Sequence, residues 1–367
     1  MITLGETHFI SKTMSKKVLI TGSNAQDGSY MIDYLLENTD NTIIAAIRRT
    51  SQPITGHIER YRHHPRVKFV LLDLSDGHSV EKAVEEEKPD YFINFGASAF
   101  VPDSWNSPAL TIQVNTIGVI NVLEAIKKHS PNCRFYNACS SEIFGEVLEV
   151  PQTINTRPNP RSVYGVSKNA AREIVAVYRE SYGMYAVSGI LFNHESPRRQ
   201  AHYVTRKITQ NVARISKSLD KKEWSFDPLE LGNLDALRDW SDAADFVVGV
   251  WKMLNQDKPK DYILSSGEMH SVREFVERAF AAARIHGRWY NPTHNHLDEE
   301  YILADKNGLA TKKKVTLVKI NPEFYRLAEV NQLLGDSTGA RQELNWQPKT
   351  TFDGLVAKMM ENDLNNP

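Results

Sequence analysis

The chain has 367 residues, of which 41% are hydrophobic and 24% are charged, which is ordinary for a folded globular protein and too apolar for a disordered one. Its 44 basic and 45 acidic residues leave a net charge of −1 at pH 7. Because such a chain has no long-range field, we expect no nucleic-acid partner and no binding to an anionic membrane. The length predicts about two lobes.

The N-terminal segment and the two cysteines bear on cellular location. Residues 1–15 lack the basic start and continuous apolar run of an export signal, and we treat them as an N-terminal extension. No apolar run approaches the roughly 18 residues of a membrane helix. Cys133 and Cys139 predict neither a disulfide framework nor a metal site, so we expect a cytoplasmic protein without a metal.

From Lys17 onward, β-rich runs alternate with segments of helical spacing, such as the apolar positions of 30–36 and 117–126. This alternation predicts an α/β fold, a Rossmann-type doubly wound parallel sheet with helices on both faces. The predicted strands are VLIT (18–21), TIIAAI (42–47), KFVLL (68–72), YFINF (91–95), RFYNA (134–138) and YAVSGILF (185–192).

The regular alternation ends after about residue 193. A strand at 262–264, a helix at 272–282 and a polar region over 287–315 are predicted beyond it, and the acidic residues 298–300 are expected on a mobile surface. We therefore expect a sheet domain over 16–193 and a smaller C-terminal substrate-binding lobe over 194–367, with some segments returning to the sheet.

The turn after the first strand has the spacing G-x-x-x-x-x-G. Glycines allow a pyrophosphate to approach the backbone, and the N-terminus of the following helix offers free N–H groups. A plain strand–turn–helix connection is the alternative, but the position at the first βα turn favours a dinucleotide. The predicted cofactor-binding residues are Gly22, Asn24, Ala25, Gln26, Asp27 and Gly28.

The second strand ends in Arg48 and Arg49, where NAD-binding folds usually place a carboxylate for the ribose hydroxyls. An arginine pair suits a 2′-phosphate, so the sequence favours NADP over NAD, although surface arginines are common. Small and acidic residues after the third and fourth strands are expected to line the cofactor, unless they serve packing alone. These residues are Asp73, Leu74, Gly96, Ala97 and Ser98.

Tyr164 and Lys168 have the i,i+4 spacing that places two side chains on one face of a helix. A nearby ammonium favours the phenolate, so we expect Lys168 to lower the pKa of Tyr164 towards neutrality and make it a general base for a sugar hydroxyl. The spacing alone also occurs on solvated helix faces. Ser140 and Glu142, after the fifth strand, complete a predicted catalytic set.

Six longer strings of the sequence carry a family resemblance. They are TGSNAQDGSY (21–30), RRTS (48–51), SSE (140–142), GILFNHESPRR (189–199), LGNLDALRDW (231–240) and SGEMHSVREF (266–275). Over residues 16–364 the sequence resembles the extended short-chain dehydrogenase/reductase family, and within it most closely the GDP-mannose 4,6-dehydratases. Ala25 replaces a glycine and Ser140 a threonine of that pattern, and 219–230 and 284–315 fit it poorly.

The resemblance implies a lyase that uses NADP and a GDP-sugar. Tyr164 would take the proton of the C4 hydroxyl, and Glu142 would remove the C5 proton and assist loss of the C6 hydroxyl as water. Ser140 would bond the sugar oxygen, and Lys168 would hold the nicotinamide ribose. The resemblance also assigns His194 and Arg199 to the cofactor, and Asn193, Arg206 and Arg238 to the nucleotide sugar.

Several alternatives stay open at this point. His194 also fits a satisfied core histidine, and Arg238 beside Asp239 also fits a surface ion pair. The substrate could be another GDP-sugar, such as a GDP-heptose. An NADP-dependent sugar-nucleotide epimerase or reductase would share the fold but needs no base such as Glu142 at C5, and a non-catalytic NADP-binding protein needs no catalytic set.

The resemblance also implies self-association. The family's loop that corresponds to residues 48–51 commonly lies at a subunit contact, so a homodimer or homotetramer is expected.

Overall fold

The computed structural model describes residues 15–49, 56–311, 314–325, 330 and 332–366. Of the predicted features, Thr50, Ser51 and all but the last residue of the N-terminal extension lie outside the described residues.

The elements follow one another along the chain with short connections. The strands are β1 Lys17–Thr21, β2 Thr42–Ile47, β3 Val67–Leu71, β4 Tyr91–Asn94, β5 Arg134–Ser140, β6 Ala186–Leu191, β7 Asn193–Glu195, β8 Leu229–Leu231, β9 Leu237–Arg238, β10 Trp240–Asp242, β11 Tyr262–Leu264, β12 His270–Ser271, β13 Gly287–Tyr290, β14 Glu300–Leu303, β15 Thr316–Ile320 and β16 Gln332–Leu333. The helices are α1 Gln26–Asn38, α2 Gly77–Glu87, α3 Asp103–Asn106, α4 Pro108–Ile112, α5 Gly118–His129, α6 Val163–Tyr182, α7 Val204–Asp220, α8 Ala243–Leu254, α9 Val272–Ala282, α10 Thr338–Leu344 and α11 Phe352–Asn365. One-turn 3₁₀ helices include Ser141–Ile143 and Pro322–Phe324, and a π turn spans Gln113–Ile117.

A seven-stranded parallel sheet forms the centre, in the order β11-β6-β5-β4-β1-β2-β3. Its strands are nearly continuous apolar runs because helices cover both faces. On β1, Val18 and Ile20 belong to one core and Leu19 to the other. Helices α1 and α8 pack on the first face, and α2, α5 and α6 on the second. The predicted doubly wound sheet is confirmed.

The stretch Pro108–His129 is long and apolar enough to cross a membrane by length and composition, with a mean hydropathy of 1.4. Half of it is buried within the protein, and α5 packs on α2 and α6. A core helix of a globular fold has the same composition, so this stretch alone is weak evidence for a membrane span.

The C-terminal part builds a second apolar core from α7, α9 and α11 and a four-stranded sheet in the order β13-β14-β15-β8. Within the predicted polar region 287–315, β13 and β14 pair antiparallel. Glu299, expected in solvent, accepts two hydrogen bonds from Arg273, at 2.8 and 2.9 Å. Strands of three or four residues with partners remote in sequence, such as β8, which pairs with β15, leave little periodicity to recognise.

Candidate active site

The turn between β1 and α1 depends on two glycines. Gly22 has a φ of +68°, and a Cβ there would lie 3.0 Å from the backbone nitrogen of Gly96. A Cβ on Gly28 would overlap the carbonyl oxygen of Gly22. Ala25, which replaces a glycine of the family pattern, has a φ of −88° and is exposed, so its methyl group fits an ordinary extended backbone. The turn leaves the N-terminus of α1 open to an anion.

Gln26 and Asp27 at the start of α1 contact β7 and the residue after it. The Gln26 amide donates to the carbonyl oxygen of His194, and its Oε1 accepts from Ser196 at 2.7 Å. His194 lies with Nε2 3.0 Å from Asp27 Oδ2 and Nδ1 2.7 Å from the carbonyl oxygen of Phe192. Because both partners only accept, both ring nitrogens must donate, so His194 is an imidazolium.

The pKa shifts of Asp27 and His194 agree with a charged His194 ring. Burial of Asp27 opposes its ionisation, but the charge and hydrogen bond of His194 outweigh it and lower the pKa of Asp27 to about 2. Burial likewise opposes the charge on His194, but Asp27 raises its pKa above the usual 6.5. The His194 ring also stacks on Phe246, 4.7 Å between centroids. These contacts favour the interpretation of His194 as a satisfied core histidine, and its cofactor contact stays a prediction.

Arg48 and Arg49 are exposed at the end of β2. Burial would raise the pKa of Asp73, but the hydrogen bonds from Ser75 and the charge of Arg48 lower it. The charge of Arg48 therefore stabilises the Asp73 carboxylate just after β3. Leu74 is buried, and a Cβ on Gly96 would lie 2.8 Å from its Cδ1. The structure thus brings the ends of β1 to β4 together.

The π turn contributes Asn115, which the sequence analysis missed. Its Oδ1 accepts from the backbone nitrogen of Ser98 at 2.8 Å, and its amide donates to the Ser98 carbonyl oxygen and to Ser167 Oγ. Ser167 Oγ in turn donates to the carbonyl oxygen of Tyr164 at 2.7 Å. Asn115 therefore connects Ser98, a predicted cofactor-binding residue, to helix α6, which carries Tyr164 and Lys168. A π turn within a helix often marks such a site, but the sequence does not show it.

Ser140, Glu142 and Tyr164 meet where β5 ends. Ser140 Oγ accepts from the Glu142 backbone nitrogen at 3.3 Å, and the Ser140 hydroxyl is hydrogen-bonded to Tyr164. Ser162 caps α6 by accepting from the backbone nitrogen of Gly165 at 3.0 Å. A Cβ on Gly165 would lie 2.6 Å from the Glu142 carbonyl oxygen, so the first turn of α6 packs directly on the Glu142 backbone.

The sequence analysis predicts that Lys168 lowers the pKa of Tyr164, and for the protein without a bound cofactor this prediction is wrong. Tyr164 is 9% exposed, and its burial raises its pKa well above 10 although the Ser140 hydrogen bond opposes this. Lys168 Nζ lies 5.8 Å from the centre of the Tyr164 ring and donates to the carbonyl oxygen of Ala138 at 2.8 Å. Burial lowers the pKa of Lys168 to about 8. The i,i+4 spacing gives a shared helix face but not where the ammonium points.

A cleft of about 540 Å³ opens beside Glu142. Four predicted site residues line it: Glu142, Asn193, Arg199 and Arg238. Arg238 is only 6% exposed, and the Asp239 carboxylate accepts instead from Ser266 and Gly267. The alternative of a surface ion pair between Arg238 and Asp239 is therefore wrong. Cleft residues that the sequence analysis missed are Phe100, Trp105, Glu195, His202, Tyr203, Lys207 and Glu323.

Two predicted arginines have carboxylate partners within the protein. Arg206 is ion-paired with the buried Asp363 of α11 and is not among the cleft residues, so its contact with the nucleotide sugar stays a prediction. Arg199 lines the cleft, lies 3.2 Å from Glu195 and stacks over the Tyr203 ring at 3.6 Å.

Comparison with known proteins accounts for this arrangement. Residues 19–359 match the family model "GDP-mannose 4,6 dehydratase". The chain belongs to this family. The GDP-mannose 4,6-dehydratase of Vibrio cholerae is 41% identical over 96% of this chain and 94% of that protein. The Drosophila melanogaster enzyme is 40% identical over 95% and 86%, and the Homo sapiens enzyme 38% over 94% and 91%.

Solved structures with under 25% identity share the fold of the family. The dTDP-glucose 4,6-dehydratase of Bacillus anthracis, in complex with NAD, is 19% identical with a TM-score of 0.76, covering 96% of this chain and 97% of that one. RMD from Pseudomonas aeruginosa, complexed with NADPH, is 20% identical with a TM-score of 0.72, covering 96% and 100%. Both support the α/β fold with a Rossmann-type parallel sheet.

Proposed function

We propose that the protein converts GDP-D-mannose to GDP-4-dehydro-6-deoxy-D-mannose as a GDP-mannose 4,6-dehydratase. The observation that carries the proposal is the position of Glu142, which lines the cleft next to the hydrogen-bonded pair of Ser140 and Tyr164. An epimerase or ketone reductase of the same fold needs no base at C5, whereas a dehydratase does. The family relationship gives the substrate class.

The residues of the sheet domain fit a nicotinamide dinucleotide. Gly22 and Gly28 form a turn that a side chain would fill, and the buried Lys168 has a single hydrogen-bond partner for its three N–H groups among the described residues. We assign the pyrophosphate to this turn, the nicotinamide ribose hydroxyls to Lys168 and a 2′-phosphate to Arg48 and Arg49, which favours NADP. When bound, the oxidised cofactor would supply a hydride acceptor for C4 and would later return the hydride to C6.

The protein's own side chains then move the protons. Tyr164 removes the proton of the C4 hydroxyl while the Ser140 hydroxyl holds that oxygen. Formation of the 4-ketone acidifies the hydrogen on C5. Glu142 removes this proton and passes a proton to the departing C6 hydroxyl, which leaves as water, so proton and hydroxide are balanced.

Three cationic side chains that line the cleft suit the diphosphate of a GDP-sugar. Arg199, Lys207 and Arg238 all line the cleft, and guanidinium groups bind phosphate oxygens in pairs. Asn193 lies on β7 beside β10 and lines the cleft, and we assign it to the sugar. Arg206 is held by Asp363 and would reach the ligand only by leaving that ion pair.

The test is mass spectrometry of the products from GDP-mannose, a GDP-heptose, UDP-glucose and dTDP-glucose. We expect GDP-mannose to lose one water with no net change in NADP. Unchanged GDP-mannose, or a product of equal mass that marks epimerisation, would contradict the proposed function.

The preference for NADP is tested with the double variant Arg48→Ala/Arg49→Ala. Loss of a charge-assisted phosphate contact should weaken NADP binding about ten- to a hundredfold and leave NAD binding nearly unchanged, as measured by calorimetry. Arg278→Ala, an exposed arginine of the C-terminal part, is the control. Equal weakening of both cofactors would refute the 2′-phosphate contact.

We also propose a cytoplasmic location and a homodimer or homotetramer. Cys133 and Cys139 are both free and buried, which suits a reducing compartment. The family's subunit contact corresponds to residues 48–51, of which the last two lie outside the described residues.

A further inference from the structure

Glu195 is a buried carboxylate in the wall of the cleft. It ends β7, is only 2% exposed and lines the cleft together with Arg199. Its Oε2 accepts a hydrogen bond at 2.6 Å from the hydroxyl of Thr205, in the first turn of α7. A carboxylate removed from water costs free energy unless it is paired and hydrogen-bonded. The bond to Thr205 joins the two ends of the loop between β7 and α7, and Arg199 lies on this loop.

Arg199 is held by Glu195 through charge. Its Nε lies 3.2 Å from the same Glu195 oxygen but makes no hydrogen bond within the described part of the chain, so the contact is an ion pair. Burial opposes the charge on Arg199, but the charge of Glu195, with smaller contributions from Tyr203 and Asp27, outweighs it and raises the pKa of the guanidinium above its usual value. A neutral side chain at position 195 would therefore release the guanidinium on this side.

One face of the Arg199 guanidinium is covered as well. The guanidinium carbon lies 3.6 Å from the centre of the Tyr203 ring, and this ring packs edge-on against Phe100 with 5.5 Å between ring centres. The Arg199 backbone nitrogen donates to the carbonyl oxygen of Ser196 at 3.0 Å. The terminal amino groups are the donors that remain, on a side chain that is 20% exposed and lines the cleft. A guanidinium immobilised in this way offers paired donors that match phosphate oxygens.

The negative charge of Glu195 has a second effect in this place. A diphosphate bound in the cleft would be repelled by a carboxylate at short range. If Glu195 did no more than occupy the wall, its neutralisation would strengthen the binding of a diphosphate. If Glu195 holds Arg199, its neutralisation would free a long side chain that must then be ordered on binding, and binding would weaken. The two roles therefore predict changes of opposite sign.

We propose that Glu195 is a positioning residue which, supported by Thr205, orients the Arg199 guanidinium towards an oxygen of a bound diphosphate. The inference rests on the proposed function, which brings two diphosphates to the protein, one in the GDP-sugar and one in NADP. Arg199 makes the contact with the ligand, and Glu195 acts through Arg199.

The experiment measures GDP binding and NADP binding to the full chain by calorimetry. Glu195→Gln keeps the shape of the side chain and an acceptor for Thr205 but loses the charge. We expect it to weaken the binding of at least one ligand about three- to tenfold, and the ligand affected identifies the diphosphate that Arg199 contacts. Asp353→Asn is the control, because it removes a carboxylate that lies 3.2 Å from the Nε of Arg278 outside the cleft. Unchanged or tighter binding of both ligands would overturn the positioning role.

The same substitution in an Arg199→Ala background separates positioning from a purely structural role. Without Arg199 there is no guanidinium to orient, so Glu195→Gln should then leave binding unchanged or strengthen it. Equal weakening in both backgrounds would assign Glu195 to the stability of the loop and refute the proposal.

Thr205→Val is a second variant in case Glu195→Gln does not fold, as judged by thermal unfolding. It leaves every charge in place but removes the hydrogen bond to Glu195, so it should weaken the binding of the same ligand. Unchanged binding by this variant would contradict the proposal. Dehydration of GDP-mannose by the wild type tests the proposed function separately, so failure of one is distinguishable from failure of the other.

Discussion

At the scale of single residues, Tyr164 and Glu142 lie in one site, and the proposed mechanism assigns them different protons. Tyr164 is buried against Ser140, and its raised pKa opposes formation of the phenolate. Glu142 faces the cleft from the one-turn helix after β5. Because the two groups serve successive steps in the proposed mechanism, substitution can separate oxidation from elimination.

Tyr164→Phe should give neither transient NADPH absorbance nor product under single turnover with GDP-mannose, because it removes the base for the C4 hydroxyl. Glu142→Gln spares that base, so it should form more transient NADPH while its product yield falls about 10²–10⁴-fold. Stopped-flow absorbance and product mass are the measurements. Tyr178→Phe, on the same helix but bonded to Glu124, is the control. Near wild-type dehydration by Glu142→Gln would remove the carboxylate from the mechanism.

At the scale of elements, the pair of Asp27 and His194 joins the N-terminus of α1 to β7. The folded pKa of Asp27 is about 2, so its contribution is complete above about pH 4 and lost as the pH falls through 2. The folded pKa of His194 is raised above 6.5, so its contribution is complete below about pH 6.5 and lost as the pH rises through the raised value. The pair therefore stabilises the protein most between about pH 4 and 6.5.

We expect Asp27→Asn to lower the free energy of unfolding by on the order of 2 kcal/mol near pH 5.5, and by less on either side of this window. Denaturant unfolding of the cofactor-free protein across the pH range is the measurement. In a double-mutant cycle with His194→Gln, the coupling energy should follow the same window. A coupling energy that is constant from pH 5 to pH 9 would contradict a charged pair.

At the scale of the whole molecule, the cleft joins parts of the chain that lie far apart in sequence. Glu142 comes from the carboxyl end of a central strand, where ligands of parallel sheets bind. Arg238 and Glu323 come from the C-terminal part, nearly 100 and 180 residues later. The start of α1 contacts β7 through the hydrogen bond from Gln26 to the His194 carbonyl oxygen, and Asn193 of β7 lines the cleft.

Local sequence patterns were sufficient to predict the central sheet and the glycine turn after its first strand. The runs around Val18, Ile43 and Phe92 match β1, β2 and β4 closely because strands buried on both faces are unbroken apolar runs. Gly22 and Gly28 are required by the backbone of a single turn. Such features depend on residues close together in sequence, so they are visible without the fold.

Residues remote in sequence determine the ion pairs, the charge states and the burial of the site residues. Asp363 pairs with Arg206, which lies 157 positions away in sequence. Asp27 contacts His194, which lies 167 positions away, and favours its charged form. The raised pKa of Tyr164 comes from burial, which spacing to Lys168 does not express. Electrostatics and solvation depend on distances in space, and a helical or strand pattern carries only the direction of a side chain relative to its own element. For this reason the fold could be predicted from the sequence, whereas the charge states and the cleft contacts followed from packing.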